Sequence, residues 1–202
     1  MKKLTLLALA MLISFPVLIA QGTWTILNTD NSEIPSDDVI SLGLGMDDEV
    51  FIGTPGGLVN PSHVYTYSGT TWDELDWLSS FQQMEASPMG HVAIANASGV
   101  YHYDGTDFTF FDSENSGLTA NDITSIDVDA DGNEYAGMTA AGLLFDGGLA
   151  IYDGTTWTSF TDSDVPLPAD DVVSVLKDED GPVYIGTVNG LVTKAGDTWT
   201  VY

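Results

Sequence analysis

Three aspartates at alternate positions form the clearest metal-binding pattern of the chain. Asp127, Asp129 and Asp131 stand in the run DVDADGN and are followed by Gly132. Calcium takes several hard oxygen ligands and a tight glycine turn, so the run is similar to the opening of a calcium loop. The closing carboxylate is absent, because Met138 occupies the twelfth position. We therefore favour a plain hairpin turn here and keep calcium as the alternative hypothesis.

A second set of residues marks a face where a ligand could be held. Asp38, Asp122 and Asp171 stand at equivalent positions, just before a short alternating run in each of three similar blocks. Asn189 lies in a later loop that we expect to open on the same face. Polar groups that converge on one face are typical of a ligand site. The alternative, which we favour, is that these aspartates bond to backbone N–H groups of neighbouring turns.

One tryptophan departs from the pattern of the blocks. Trp77 lies in the run LDWLSSF, where the other blocks carry polar turns. It could offer an exposed surface for stacking against a sugar or a peptide. We favour the interpretation that it fills the gap left by a shorter loop.

Residues suited to catalysis are few. The three histidines, His63, His91 and His102, do not stand in the spacing of a zinc protease, and the chain has no serine nucleophile elbow. A polysaccharide lyase needs a cation to neutralise the substrate carboxylate, and beyond the first twenty residues only Lys177 and Lys194 could supply it. The sequence therefore favours a protein that is not an enzyme, with a lyase or hydrolase on the same scaffold as the alternative.

The charge balance excludes several classes of partner. The chain has 30 acidic residues against four lysines and no arginine, a net charge of −26. Nucleic acids and anionic membranes are bound through Lys and Arg side chains, so neither is an expected partner. The absence of cysteine excludes disulfides and thiolate metal sites. Neutral glycans, peptides and partner proteins remain as ligands.

The first twenty residues have the layout of a secretory signal peptide. Lys2 and Lys3 precede a run of mostly apolar residues, and Ala20 offers a small residue at the cleavage point. We expect residues 1–20 to be removed. The result is a secreted or periplasmic domain of residues 21–202, with two lysines against 30 acids and a charge of −28. An uncleaved membrane anchor is the alternative, but no second apolar run predicts membrane insertion of the remainder.

One block of sequence recurs along the rest of the chain. Successive copies begin at Trp24, Trp72, Phe108 and Trp157, and a final stub begins at Trp199. Each copy contains alternating apolar runs such as ITSIDV, separated by turn signals such as DADGN and YDGT. Four short antiparallel strands repeated at this interval predict an all-β fold, a β-propeller of about four blades. We expect the recurring tryptophans to open the outer strand of each blade and to fill the space between blades.

The order of the submotifs resembles that of a known family. WT, a run of the NSxLPSND type, the alternating run, DGN, IGT with GGL, and YDGTTW recur in the order found in two-component regulator propeller repeats. The resemblance covers the chain from Trp24 to Tyr202. It implies a β-propeller of the sensor-like kind that binds a ligand outside the cytoplasm. Members of this family commonly carry seven repeats in a ring, whereas this chain has about four.

The number of predicted strands does not match a closed ring. There are four sets of inner strands but five outer-strand openings, counting both Trp24 and Trp199. Either one terminal strand is surplus or the array is open, and an open array exposes an edge that can pair with another chain. We therefore expect an open or truncated propeller that can associate with itself. Its expected function is to bind a glycan, a peptide or a partner protein at the channel face, with a structural or assembly role as a further alternative.

Overall fold

The computed structural model describes residues 24–34, 36–56, 62–78, 81–140 and 146–202. Within these ranges the side chain of Trp77 is not described. These residues form four antiparallel sheets of four strands, here called blades I to IV, and each blade keeps its strands in chain order. Blade I contains β1 (Ser41–Leu44), β2 (Val50–Thr54), β3 (Ser62–Tyr67) and β4 (Trp72–Leu78), with a short 3-10 turn (Met46–Asp48) between β1 and β2. Blade II contains β5 (Gln83–Ala86), β6 (Val92–Asn96), β7 (Gly99–Tyr103) and β8 (Phe108–Phe111). Blade III contains β9 (Asp122–Val128), β10 (Glu134–Thr139), β11 (Gly148–Tyr152) and β12 (Trp157–Phe160), and blade IV contains β13 (Val172–Lys177), β14 (Val183–Thr187), β15 (Gly190–Ala195) and β16 (Thr198–Val201).

Aspartate and glycine set the tight turn between the third and fourth strands of blades II and III. In each YDGT turn the glycine has a positive φ, 94° at Gly105 and 85° at Gly154, which residues with a Cβ rarely adopt. The preceding aspartate accepts two backbone hydrogen bonds, at 2.8 and 2.9 Å for Asp104 and at 2.9 and 2.8 Å for Asp153. These two residues therefore fix each turn, as the YDGT signal predicts.

Apolar residues fill the space between neighbouring blades in three clusters. The cluster between blades I and II contains Phe51, Val64, Leu78, Met84, Val92 and Ile94. The cluster between blades II and III includes Val100, Ile123, Ile126, Met138 and Trp157. The cluster between blades III and IV includes Tyr135, Leu149, Val172, Val175 and Ile185. A sheet has two faces to bury, and each inner blade buries both of them against its neighbours.

A repeated hydrogen bond fixes each blade against the next. A side-chain oxygen on the first strand of one blade accepts a backbone N–H from the first strand of the following blade. The acceptors are equivalent, since each lies opposite the fourth residue of the second strand of its own sheet. The pairs are Ser41 with Met84 at 3.1 Å, Gln83 with Ile126 at 3.2 Å, and Ser125 with Val175 at 3.1 Å.

The blades pack in chain order, and the two ends of the series do not cover each other. Strand β1 packs on β5, β5 on β9 and β9 on β13, whereas the described parts of blades I and IV share no extended strand interface. Leu42 and Leu44 on blade I and Leu176 on blade IV are exposed. The prediction of an all-β propeller is confirmed, and the described residues of its four blades form an open series.

The prediction that Trp24 opens an outer strand is wrong. Residues 24–28 form no strand, and the Trp24 side chain is 99% exposed, because no strand edge of the described chain lies beside it. The other four predicted openings do belong to the fourth strands of the four blades, β4, β8, β12 and β16. Trp199 is accordingly not a stub but part of β16, which pairs with β15 and completes blade IV.

Candidate ligand-binding site

The aspartates predicted to face the channel lie near the starts of the first strands, where two of them bond to the end of β10 or to the residue after it. Asp122 Oδ2 accepts a hydrogen bond from Thr139 Oγ1 at 3.1 Å within blade III. Asp171 Oδ1 accepts the Ala140 N–H at 3.0 Å and so ties the start of blade IV to blade III. Asp38 is exposed to solvent. A ligand-binding role for the three aspartates stays a prediction.

The residue before each of these aspartates accepts a hydrogen bond from a backbone N–H group. This is the type of bond that we favoured for the aspartates themselves. In three loops a side-chain Oδ1 accepts the backbone N–H of the residue eight positions earlier. The same loop conformation therefore precedes blades I, III and IV. The pairs are Asp37 with Thr29 at 2.7 Å, Asn121 with Ser113 at 2.7 Å, and Asp170 with Asp162 at 2.5 Å.

The two remaining residues of the predicted site lie apart on the blades. Asn189 follows β14, and its Nδ2 donates to Pro168 O at 3.4 Å. Trp77 lies in β4 opposite His63, and its side chain is outside the described structure. The interpretation of Trp77 as a stacking surface or as a filler of the short loop therefore stays a prediction.

The aspartates of the DVDADGN run have different partners. Asp129 accepts hydrogen bonds from the Asn133 side chain at 3.1 and 2.9 Å within its own hairpin. Asp127 Oδ2 accepts the Lys177 N–H at 2.5 Å and so joins blade III to blade IV. In the part of the chain that the structure describes, no three His, Asp or Glu side chains are grouped so as to hold a metal ion. Calcium binding by these aspartates, Asp131 included, stays a prediction.

Removing the Asp129 carboxylate should weaken its hairpin in a pH-dependent way. Burial raises the pKa of Asp129, but hydrogen bonds from Asn133 and Tyr135 outweigh it and hold the pKa below the usual 3.8. The stability gained is present above that pH and is lost as the pH falls through the lowered pKa. Because the group is partly solvated, we expect Asp129→Ala to lower the free energy of unfolding by about 1 kcal/mol at neutral pH. Urea unfolding should show a smaller loss well below the usual pKa, and an equal loss at both pH values would contradict this role.

A cleft of about 560 Å³ lies at the outer rim of blade I. One wall is the turn between β3 and β4, and the other is the loop that leads into blade I. The Tyr67 and Trp72 rings lie side by side in it, with centroids 4.6 Å apart and planes tilted by 33°. Trp72 is partly exposed, so an aromatic surface adjoins amide, hydroxyl and carboxylate groups. The lining consists of Leu27, Asn31, Ser32, Glu33, Tyr67, Gly69, Thr70, Thr71, Trp72 and Asp73.

The equivalent cleft of blade III is smaller, and its tryptophan is buried. It measures about 300 Å³, and Trp157 is only 6% exposed. Ser159 Oγ donates to Gly117 O at 2.7 Å, and a Cβ on Gly117 would lie only 2.2 Å from Trp157 O. Glu33 stands at the position of Gly117 in the loop before blade I. Phe111 of the preceding blade also packs on Trp157, with ring centroids 6.2 Å apart, whereas the described chain places no blade before blade I. Trp72 is therefore left partly exposed.

The cleft of blade I combines an aromatic face with hydrogen-bonding groups. Glu33 and Asp73 supply carboxylate acceptors, and Asn31 can both donate and accept. None of the described residues that line the cleft is cationic. The arrangement can hold a hydroxyl-rich neutral ligand or a cationic ligand, and it repels an anionic one.

His102 and Glu134 form a buried pair between blades II and III. His102 Nδ1 is hydrogen-bonded to Glu134 Oε1, and the glutamate side chain is fully buried. Burial raises the pKa of the Glu134 carboxyl, while the hydrogen bond from His102 opposes the rise. The rings of Tyr152 and Phe111 lie 5.2 and 6.4 Å from the His102 ring. No motif in the sequence indicates this buried pair, which links two blades.

Comparison with solved structures supports the propeller fold. A protein described as the extracellular domain of the hybrid two-component system BT3049 from B. thetaiotaomicron matches with a TM-score of 0.64 and 22% sequence identity. The match covers 86% of this chain and 24% of that domain. YCF48, bound to D1 peptide, matches with a TM-score of 0.51 and 14% identity over 80% of this chain and 51% of YCF48. At these identities the similarity establishes the fold, and the chain spans only part of each relative.

The resemblance to two-component regulator propeller repeats is confirmed at the level of the fold, since a matching structure is an extracellular domain of such a system. No protein-family model and no curated protein sequence matches the chain. The described residues include no helix with the length and apolar character needed to cross a membrane. The predicted signal peptide, residues 1–20, lies outside the described residues.

Proposed function

We propose that this chain is an exported, non-catalytic binding module whose blade I cleft holds a neutral glycan. The observation that carries the proposal is the cleft beside Tyr67 and Trp72, which is larger than the equivalent cleft of blade III. Its tryptophan is partly exposed, whereas Trp157 is buried, so blade I offers an aromatic surface that blade III does not. The ligand would therefore be held at the outer rim of blade I rather than at the channel face.

The chemistry of the lining supports a glycan. Sugar rings present C–H faces that pack on an aromatic ring such as that of Trp72, while sugar hydroxyls bond to polar groups around it. Glu33 and Asp73 can accept hydrogen bonds from hydroxyls, and bonds to a charged acceptor are stronger than neutral ones. The carboxylates and the net charge of −26 disfavour sulfated or uronic-acid glycans.

The positions of two histidines support a binding role rather than a catalytic one. His63 Nδ1 is paired with Glu74 Oε1 at 2.6 Å, on the strands of blade I. His102 is paired with the buried Glu134 between blades II and III. Neither histidine lines the cleft, so neither stands where it could act on a ligand held there.

Replacing Trp72 with alanine should remove most of the affinity for the ligand. Loss of the ring removes the stacking surface, so we expect the affinity for a neutral oligosaccharide to fall at least about tenfold, which corresponds to about 1.4 kcal/mol. Isothermal titration calorimetry with a panel of neutral oligosaccharides measures the change.

Trp24→Ala is the matched control for this experiment, since Trp24 is fully exposed and does not line the cleft. Its affinity should equal that of the wild type. An oligosaccharide that binds equally well to the wild type and to Trp72→Ala would show that the cleft is not the site. A panel without any binding oligosaccharide would remove the neutral glycan as the ligand.

A cationic peptide is the second candidate ligand. The net charge of −26 and the two cleft carboxylates favour a positive ligand, and YCF48, which has a similar fold, is bound to the D1 peptide. Glu33→Gln separates the two candidates, because glutamine still accepts a hydrogen bond but carries no charge. A cationic peptide should lose affinity as salt rises, and Glu33→Gln should reduce this salt dependence. The affinity of a neutral glycan should not depend on salt in either chain.

Export and a sensor-like role are part of the same proposal. The signal-peptide layout of residues 1–20 and the fold shared with an extracellular two-component domain both support a location outside the cytoplasm. In this role the chain captures the ligand, and a partner protein carries the signal onward.

A further inference from the structure

The face of blade I that points away from blade II exposes an apolar side chain on its first strand, beside the pair of His63 and Glu74. Leu42 on β1 is 59% exposed, whereas its equivalents in the other three blades are buried against the preceding blade. Those equivalents are Met84, Ile126 and Val175. Blade I therefore carries the type of residue that packs at every internal blade contact, but the described chain places no blade against it.

The opposite face of blade IV is the counterpart of this surface. Leu191 on β15 is 41% exposed, whereas its equivalent on β11, Leu149, is fully buried against blade IV. Tyr184 on β14 is exposed, whereas its equivalent on β10, Tyr135, is buried in the same contact. Blade IV thus exposes the same kind of surface that blade III packs against blade IV.

The hydrogen bond that recurs between blades has its acceptor position on the exposed face of blade IV and its donor position on the exposed face of blade I. Ser174 occupies in blade IV the position of Ser125 in blade III, opposite the glycine of the second strand. Leu42 occupies in blade I the position of Val175, whose N–H donates to Ser125 Oγ at 3.1 Å. A blade I placed against blade IV would therefore offer the Leu42 N–H to Ser174 Oγ.

We propose that a second copy of this chain covers these faces, with blade I of one copy docked on blade IV of the other. A second copy fits better than an unrelated partner, because the chain carries both halves of the contact that already joins its own blades. Contact between two unlike faces is heterologous, and a dimer with two such contacts is the smallest assembly that covers every face. Burial of exposed apolar surface supplies the driving force. The ligand cleft borders the same face of blade I, since Tyr67 and Trp72 are the equivalents of Tyr152 and Trp157, which are buried between blades II and III. The two proposals are tested separately, because Leu42 and Leu191 do not line the cleft.

Charge determines the conditions under which the copies should associate. The face residues Leu42, Ser174, Tyr184 and Leu191 are uncharged, while the whole chain carries −26, so separate copies repel each other. The Debye length is about 10 Å at 0.1 M salt, and more salt screens the repulsion. Association should therefore strengthen as salt rises, which is the reverse of the behaviour of an interface held by ion pairs.

Sedimentation velocity of the exported chain at low and high salt tests the proposal. We expect dimers or larger assemblies at high salt. Leu42→Asp and Leu191→Asp should each weaken association at least about tenfold, because each places a charge in an apolar contact. Met89→Asp is the matched control, since Met89 is an exposed apolar residue in the β5–β6 turn of blade II, away from both faces.

A mixture of the two face variants separates head-to-tail docking from other modes of association. Each variant keeps one intact face, so an equimolar mixture should form heterodimers at high protein concentration although neither variant associates alone. Both positions are exposed in the single chain, so circular dichroism should show wild-type melting for both variants. A wild-type chain that stays monomeric at high salt, association that survives either substitution, or a mixture that stays monomeric would overturn the proposal.

Discussion

Replacing His102 with leucine should lower the free energy of unfolding by about 3–5 kcal/mol. His102 supplies the hydrogen bond to Glu134 Oε1, and Oε2 of the same carboxyl is buried without a partner in the structure described. Without the histidine the whole carboxyl would be buried with no compensating bond. Chemical denaturation followed by tryptophan fluorescence measures the loss.

The double variant His102→Leu/Glu134→Leu is the control for this substitution. Two apolar side chains can occupy the space beside Tyr152 and Phe111, so the double variant should recover most of the lost stability. A double variant as unstable as His102→Leu would mean that lost packing, and not an unpaired carboxyl, causes the effect.

The penalty of His102→Leu should also depend on pH with a defined sign. Burial raises the pKa of Glu134 above its usual 4.5. A carboxyl with a raised pKa binds more protons in the folded state, so its contribution is fully present below 4.5 and is lost as the pH rises through the raised pKa. In the variant the ionised carboxyl has no partner, so the penalty should be largest at neutral pH and should shrink as the pH falls. The His91 ring lies 5.8 Å from that of His102 at the same contact.

Deletion of residues 198–202 should cost about 3 kcal/mol or more of unfolding free energy. The deleted segment contains β16, the fourth strand of blade IV, and its loss exposes the backbone edge of β15. It also removes Trp199, whose ring lies 5.5 Å from that of Phe160 on blade III and 5.7 Å from Lys194 Nζ. Thermal and urea unfolding of the truncated chain measure the effect.

Removal of residues 21–27 is the matched control, because this segment also contains a WT motif. Trp24 is exposed, and residues 24–27 form no strand in the structure described, so this deletion should cost less than about 1 kcal/mol. A larger loss from the N-terminal deletion than from the C-terminal one would mean that the Trp24 segment, and not β16, completes blade IV.

The strands are predictable from the sequence because their signals are local. Alternating apolar residues predict the first strands, and aspartate with glycine predicts the turns between the third and fourth strands. Trp24 shows the limit of such signals. It shares the WT motif of Trp199, yet only Trp199 lies in a strand, because a strand also needs a neighbouring edge with which to pair.

The cleft is harder to predict, because it depends on how closely a loop approaches a strand far away in the sequence. Trp72 and Trp157 both follow a GTT run, yet Trp72 is partly exposed and Trp157 is buried. Alignment of the repeats places Glu33 and Gly117 at the same position, and this exchange can be read from the sequence. The contact of Phe111 with Trp157 depends on a preceding blade, which no pattern within one repeat indicates.

The pair of His102 and Glu134 could not be predicted from the repeats. The two residues are 32 positions apart and lie on different blades. They meet only because the third strand of blade II packs against the second strand of blade III. No pattern within one block of sequence indicates this contact. The position of Glu134 is not polar in every repeat, since its equivalents in other blades include Val92 and Val183.

The indole N–H signals of the five tryptophans in an NMR spectrum provide the most direct test of the proposed binding site. The measurement is a titration of the isotope-labelled chain with a neutral oligosaccharide that binds, with signals assigned by single substitution. Binding in the cleft of blade I predicts that the Trp72 signal shifts most with the ligand, while the signal of the buried Trp157 on blade III stays unchanged. A ligand that saturates the chain and leaves the Trp72 signal where it was would contradict binding in the cleft.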